Sequence, residues 1–279
     1  MPQYPPLFPR SIWQTSNAEG VERWREKSAT WTNSNPEYKH TILTDDDANA
    51  FVHEHFTHRP AIIYFWESLK SIILRADLLR YLVMLAEGGV YSDMDTGNLA
   101  PISQVIPSDI DEATVNVVVG IEYDDNVHPL FVRPLSFTQW TLIAKPGHPI
   151  FQRAVDRLMS NVEFLARRQR VELPGVHLEM REVLEATGPG MYTDVIMEVL
   201  RDQGISVTWD MFHNLKRPSL QGDVLVMPIN AFAGNQGHSH SGEPEYGDKF
   251  VEHYFGRSWY HIDADGKEST STEEHSKGE

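Results

Sequence analysis

The chain of 279 residues is 41% hydrophobic and 23% charged, carries a formal net charge of -16 and contains no cysteine. Such a chain has apolar matter for one large core or two small ones, and it excludes a disulfide framework, a thiolate metal site and a cysteine nucleophile. The acidic balance argues against a nucleic-acid binder, which needs a basic face, and no run of about 18 apolar residues is present to span a bilayer.

In chain order, Pro2, Pro5, Pro6 and Pro9 make residues 1–9 an extended arm. Residues 10–14 read as a first strand with Ile12 and Trp13 apolar. The spacing of Val21, Trp24 and residues 29–31 suits a helix that Asn35-Pro36 stops, and residues 38–43 read as a second strand. Thr44 ahead of Asp45-Asp46-Asp47 has the form of a helix cap with an acidic first turn. A calcium loop would need a glycine and spaced acidic ligands, which do not follow.

Between residues 64 and 87, Leu69, Ile72, Ile73, Ala76, Leu79, Val83 and Ala86 recur at three and four, a buried helical stripe. Asp77 and Arg80 share a face of that helix; by themselves they read as a surface ion pair, which is worth little. Gly88 supplies the left-handed residue that ends the helix. Residues 90–93 then form a strand with polar residues at its carboxyl end, where open α/β sheets place ligands.

Those polar residues are Asp93-Met94-Asp95. Carboxylates one residue apart on an extended segment lie on the same side, because strand side chains alternate with a period of two. They can share a hard cation, Mg²⁺ or Mn²⁺, which leaves its other positions to water and substrate phosphate. Taken alone, the pair reads equally as a polar turn.

Further on, residues 115–120 form a third strand and Glu122-Tyr123-Asp124-Asp125 an acidic loop. Residues 136–144 are an apolar run carrying Gln139 and Trp140, and Lys145-Pro146-Gly147 is a turn. Residues 150–168 are an amphipathic helix whose basic end, Arg167-Arg168-Gln169-Arg170, reads as a solvated helix terminus. Thr187-Gly188-Pro189-Gly190 is a tight turn before a helix at 192–200, and residues 223–228 are a late strand. The loop 234–242 holds His238 and His240, a zinc-like pair without a third ligand at suitable spacing. Residues 10–261 are expected to form one domain, and the polar stretch 262–279 a disordered tail.

Arg75-Ala76-Asp77-Leu78-Leu79-Arg80-Tyr81, followed by Gly88-Gly89-Val90-Tyr91-Ser92-Asp93-Met94-Asp95-Thr96, resembles the signature of glycosyltransferase family 32, the sugar-binding region containing the DXD motif. Further blocks are similar to the fungal Golgi initiation-specific alpha-1,6-mannosyltransferases. They are Pro9-Arg10-Ser11-Ile12-Trp13-Gln14-Thr15, Asn35-Pro36-Glu37-Tyr38, Val119-Gly120-Ile121-Glu122, residues 137–149, Thr187-Gly188-Pro189, residues 222–232 and residues 253–259.

The resemblance implies a GT-A type fold, a Rossmann-like α/β nucleotide-binding sheet fused to an acceptor-binding half. It implies Mn²⁺ or Mg²⁺ as cofactor, GDP-mannose as donor, an oligosaccharide or glycoprotein acceptor of the N-glycan core, and no nucleic acid. It further implies a Golgi-lumenal catalytic part; the family's N-terminal membrane anchor is not seen here, which reads either as truncation or as a secreted or cytosolic relative. By the same resemblance Asp93, Asp95, Asp77 and Arg80 are the catalytic set. Asp93 and Asp95 hold the metal and reach the ribose and diphosphate, Asp77 and Arg80 contact the donor sugar, Tyr91 lies alongside the motif, and Trp13 stacks on the base. The family pattern His-His-x-x-Gly-Ser-Trp is altered here to Glu252-His253-Tyr254-Phe255-Gly256-Arg257-Ser258-Trp259. His253 then matches a third metal ligand, and Ser258 and Trp259 match contacts on the diphosphate side.

An alpha-linked donor giving an alpha-linked product requires retention. No carboxylate is singled out for a double displacement, so front-face substitution is the expected route. Glu122, Gln139, Trp140 and the 187–189 turn point to the acceptor side, with Trp140 reading more readily as core. The alternatives are a family member with another donor or acceptor (a UDP-sugar, inositol phosphorylceramide) and a non-catalytic carbohydrate-binding relative, for which the altered 252–259 block argues. An Asp-x-Asp phosphatase is disfavoured because that chemistry needs Thr or Val two residues after the second Asp, where Gly97 stands.

Overall fold

The computed structural model describes residues 4–125 and 133–256. The strands are β1 Ser11–Thr15, β2 Lys39–Leu43, β3 Gly89–Ser92, β4 Thr96–Asn98, β5 Val117–Asp124, β6 Leu135–Phe137, β7 Thr141–Ala144, β8 Ser219–Gln221, β9 Val224–Met227 and β10 Val251–His253. The helices are α1 Ala18–Arg23, α2 Arg25–Ser34, α3 Asp45–Phe56, α4 Pro60–Ser68, α5 Ile72–Ala86, α6 Pro149–Gln169, α7 Met180–Ala186, α8 Pro189–Asp202 and α9 Asn230–Ala233.

The central sheet runs β2-β1-β3-β7-β5-β9-β8, with β6 paired to the far end of β5. β1 is parallel to β2 and β3, and β5 is parallel to β9, while β7 enters antiparallel between β3 and β5. The carboxyl ends of β1, β2, β3, β5 and β9 therefore share one edge. Strand alternation splits the core in two. Trp13, Tyr91, Leu142, Val117, Val119, Val224 and Val226 face α3 to α6 and α8. Ile12, Val90, Ile143, Val118 and Leu225 face α2, α9 and a small antiparallel ribbon of β4 and β10. This is the α/β architecture expected from the sequence, with a mixed central sheet covered on both faces.

Local chemistry explains the boundaries. Thr44 caps α3 in a reciprocal box with Asp47, so the acidic triplet is a helix start as expected. Pro149 and Pro189 stand at the first positions of α6 and α8. Gly88 and Gly89 have φ of +64° and +86°, and a Cβ on Gly88 would lie 2.5 Å from the Ala144 carbonyl oxygen. Only glycine lets α5 turn this sharply into β3.

Three expectations are corrected, and the apolar run 136–144 is resolved into elements. The helical stripe of residues 64–87 is two helices, because Leu69 and Ser71 take extended backbone and turn a corner with Leu69 still buried. A periodicity count cannot see a corner that keeps its apolar residues inside. The acidic segment after residue 120 is strand, not loop: β5 continues to Asp124, bulges between Ile121 and Tyr123, and pairs with β6. Residues 136–144 are two strands with different neighbours, separated at Thr138-Gln139-Trp140. The Thr187 to Gly190 turn is the start of α8, with Gly188 as its N-cap. The tail at 262–279, and Ser258 and Trp259, lie outside the described residues.

Candidate active site

Asp93 and Asp95 emerge from the carboxyl end of β3, and their turn is clamped through its backbone. The Asp93 amide donates to the Trp140 carbonyl at 2.8 Å, and the Asp93 carbonyl accepts from Thr96 Oγ1 at 2.6 Å and from Gln14 Nε2 at 3.2 Å. Gln14 is fully buried and is held in turn by Ser28 and His40. The turn is thus fixed by three neighbouring segments before any ligand arrives.

His253 arrives from β10, where it pairs with Thr96. Its ring stacks on Trp140 with centroids 4.7 Å apart and planes 12° apart, and Phe255 meets it edge-on. Its Nε2 lies 3.2 Å from Asp95 Oδ1, and the Gly256 amide donates to Asp95 Oδ2 at 2.7 Å. A Cβ on Gly256 would stand 2.5 Å from the Trp24 ring, so glycine is what permits that approach.

One ligand atom from each of Asp93, Asp95 and His253 lies within 4.8 Å of the others. Two carboxylates and an imidazole form a donor set that suits a divalent cation of the Mn²⁺ type. His253 faces the acids through Nε2, while its buried Nδ1 has no hydrogen-bond partner among the described residues. The carboxylates differ electrostatically. Burial raises the Asp93 carboxyl above its ordinary range, with Asp95 adding to the effect and Arg80 opposing it. Burial opposes ionisation of Asp95 too, but His253 and the Gly256 amide hold it below its usual value.

Asp77 and Arg80 are not a surface pair. They are 1% and 7% exposed, and Arg80 bridges two carboxylates, with Nη1 3.2 Å from Asp77 Oδ1 and Nη2 3.1 Å from Asp93 Oδ1. Asp77 also accepts from Thr187 Oγ1 at 2.6 Å and Gln139 Nε2 at 3.2 Å. Tyr81 ties the same group together, its hydroxyl donating to Gln139 Oε1 at 2.6 Å with the Thr187 carbonyl 3.0 Å away as the alternative acceptor. Tyr91 donates to Asp93 Oδ1 at 2.9 Å. A continuous polar chain therefore runs from the start of α8 to the acidic pair. Arg80 Nε is buried without a hydrogen-bond partner among the described residues.

The remaining expected residues fare differently. Trp13 sits beside Tyr91 on the same sheet face, 9% exposed, with its indole N–H on the Gly88 carbonyl and its ring edge-on to Phe51. Little of its ring is open to a base. Gln139 is drawn into the Asp77 network, and Trp140 is core beneath His253. His238 and His240 part company: the former meets Tyr123, and the latter stacks on Tyr246 and binds Glu243. Among the described residues the metal-ready group is the Asp93, Asp95 and His253 cluster. Spacing does not single out Gln14, Thr96 and Gly256, because the first two act through side chains on the Asp93 carbonyl and the third through its amide, contacts that only the fold creates.

Glu122 is buried with Ser136 Oγ donating at 2.9 Å. Burial pushes its carboxyl from 4.5 up to about 8, against the opposing effect of Ser136. Between those values the folded chain holds a proton that the unfolded chain has lost, so stability falls as pH rises through that window. The slope is at most about 1.4 kcal/mol per pH unit. Glu122→Gln keeps an acceptor for Ser136 and removes the titration. Its urea midpoint is expected to match the parent at about pH 5 and to exceed it at about pH 8.5. Equal midpoints at both values would show that Glu122 is solvated.

Fold and site together define an α/β protein that delivers an acidic, cation-ready pair to the carboxyl edge of its sheet beside a buried arginine. The chain belongs to the family described as glycosyltransferase sugar-binding region containing DXD motif, whose model matches residues 21–111, the segment that carries Asp77, Arg80, Asp93 and Asp95. HOC1 of Saccharomyces cerevisiae is 38% identical over 235 residues, covering 81% of this chain and 59% of that protein. An initiation-specific alpha-1,6-mannosyltransferase of Schizosaccharomyces pombe is 35% identical over 257 residues, covering 90% of this chain and 64% of that protein. The chain thus spans about three fifths of the length of these curated relatives. Among solved structures, PaToxG glycosyltransferase aligns with a TM-score of 0.47 at 17% identity, covering 72% of this chain and 74% of that one.

Proposed function

We propose that the chain is a cation-dependent, retaining glycosyltransferase that moves mannose from GDP-mannose to an N-glycan core acceptor in alpha-1,6 linkage in the Golgi lumen. The observation that supports this best is the convergence of Asp93, Asp95 and His253 beside the buried Arg80. Donor, linkage and acceptor are drawn from the name of the fission-yeast relative and from the family blocks along the chain.

Asp93, Asp95 and His253 would hold the cation, which when bound stabilises the charge that grows on the departing diphosphate. Arg80 and Tyr91 orient the Asp93 carboxylate, and the Gly256 amide orients that of Asp95. Asp77 is saturated by Thr187, Gln139 and Arg80, so it acts by holding Arg80. Arg80, 7% exposed and next to Asp93, is the member of the pair that would orient the donor. Trp13 would border the base, and Ser258 and Trp259 the diphosphate. In front-face substitution the acceptor hydroxyl passes its proton to the departing phosphate oxygen, so no protein base is required.

Thermal-shift titration with GDP, UDP and GDP-mannose, each with and without Mn²⁺, tests the reading. Saturating GDP with Mn²⁺ is expected to raise Tm by roughly 5 to 10 °C, and UDP to have little effect. Equal shifts with UDP would move the donor to a UDP-sugar, and no shift with any nucleotide would sink the proposal.

A further inference from the structure

The segment that carries His253 holds two oddities that share a cause. A ligating imidazole is ordinarily fixed by a hydrogen bond from its second nitrogen, yet Nδ1 of His253 is buried and has no hydrogen-bond partner among the described residues. Two positions further on, Phe255 has a φ of +49°, a left-handed backbone that is an outlier for a bulky side chain.

The backbone conformation has a local reason. The Tyr254 amide donates to the Asp95 carbonyl at 2.9 Å, and the Gly256 amide to Asp95 Oδ2 at 2.7 Å. Amides two residues apart stand about 7 Å from each other on an extended chain, so the chain folds back at Phe255 for both to reach one aspartate. Glycine or asparagine would adopt that fold at lower cost. The clamp on Asp95 therefore explains the left-handed turn but not the phenylalanine in it.

The ring explains the phenylalanine. Its centroid lies 4.1 Å from that of the His253 imidazole with the planes at 66°, and 5.9 Å from that of Trp140 at 77°. Trp140 lies nearly flat on the imidazole, with 12° between the planes, and is anchored by its own indole N–H on the Phe232 carbonyl at 3.0 Å. One ring thus covers a face of His253 while the other stands across it, and together they oppose both tilting of the imidazole and its turning about the Cβ–Cγ bond. Burial is the smaller part of the explanation, since Phe255 is 39% exposed.

We propose that Phe255 is a positioning residue, which orients His253 toward Asp93 and Asp95 by ring packing in place of a hydrogen bond to Nδ1. Its strained backbone is retained because the same turn serves both the imidazole and the Asp95 clamp. The consequence for ligation rests on the cation reading of the site, but the orientation of the ring does not require a cation.

Phe255→Asn tests this, because asparagine tolerates the left-handed backbone and leaves the clamp on Asp95 in place. Phe255→Tyr keeps the ring. Three quantities are compared: the cation-free Tm, the Mn²⁺ affinity from the free-ion EPR signal with GDP present, and the imidazole NMR signals of His253 in the cation-free protein. Phe255→Asn is expected to keep Tm within about 2 °C of the parent, to bind Mn²⁺ about tenfold more weakly, as when an outer contact of a ligand is lost, and to shift and broaden the His253 signals. Phe255→Tyr is expected to match the parent in all three. Unchanged Mn²⁺ affinity or unchanged imidazole signals in Phe255→Asn would overturn the inference. Weaker binding together with a large fall in Tm would make Phe255 a structural residue and overturn it as well. A parent that takes up no Mn²⁺ would overturn the cation reading; broadened His253 signals in Phe255→Asn would then still uphold the positioning, and unaltered ones would overturn both.

Discussion

Replacing Arg80 by methionine is expected to destabilise the protein by about 3 to 5 kcal/mol, the cost of removing one partner from a buried ionic group. Methionine preserves much of the side-chain volume, so the loss is mainly electrostatic. Arg80 lies between the carboxylates of Asp77 and Asp93, and Asp77 is nearly inaccessible to water. Without the guanidinium both acids must take up protons or stay charged against each other. Burial already disposes both toward protonation. Asp77→Asn should cost less, since the amide still accepts from Thr187, and the double variant should cost less than the sum of the two. Urea unfolding of the four proteins closes the cycle. An Arg80→Met variant within 1 kcal/mol of the parent would mean that water reaches this network.

The second large effect belongs to Asp95. Asp95→Asn is expected to lower kcat by about a thousandfold, in line with the loss of a group that stabilises transition-state charge, while the nucleotide-free Tm changes by little. Asp95 is chosen over Asp93 because its role is separable. Asp93 is bound into the Arg80 and Tyr91 network, whereas asparagine at position 95 can still accept from the Gly256 amide. The Mn²⁺-dependent part of the GDP thermal shift should disappear together with turnover. A kcat within tenfold of the parent would remove Asp95 from the metal set, and a large fall in Tm would make its role structural.

Much of the sheet is legible because its central strands are short, continuously apolar runs bounded by turn residues, as buried strands are. Thr44 with Asp47 and Gly88 before β3 are local signals, and local signals survive in a sequence. What failed was non-local. Glu122 and Asp124 look like loop residues until Ser136, Trp209 and His213 are brought to them by the fold. The same applies within the site. Asp93 and Asp95 are adjacent enough to be noticed, and Asp77 and Arg80 share a helix face. That Arg80 reaches Asp93, that Gln14 holds the turn, and that Thr187 anchors Asp77 from 110 positions away depend on packing alone.

The ribbon of β4 and β10 has a bearing on synthesis. His253 follows Asp95 by 158 positions and reaches it only when the strand that carries it docks on β4. A chain still emerging from the ribosome has the two carboxylates but no imidazole beside them, and the close clamp on Asp95 by Gly256 is also missing. If the three residues hold a cation as proposed, its capture at full strength would wait until β10 has been made and docked. Because a ligand that binds only the finished arrangement stabilises it by mass action, divalent cation concentration would govern how tightly the late ribbon stays seated. Chelation should accordingly loosen the segment around Val251–His253 to amide exchange before it loosens the sheet.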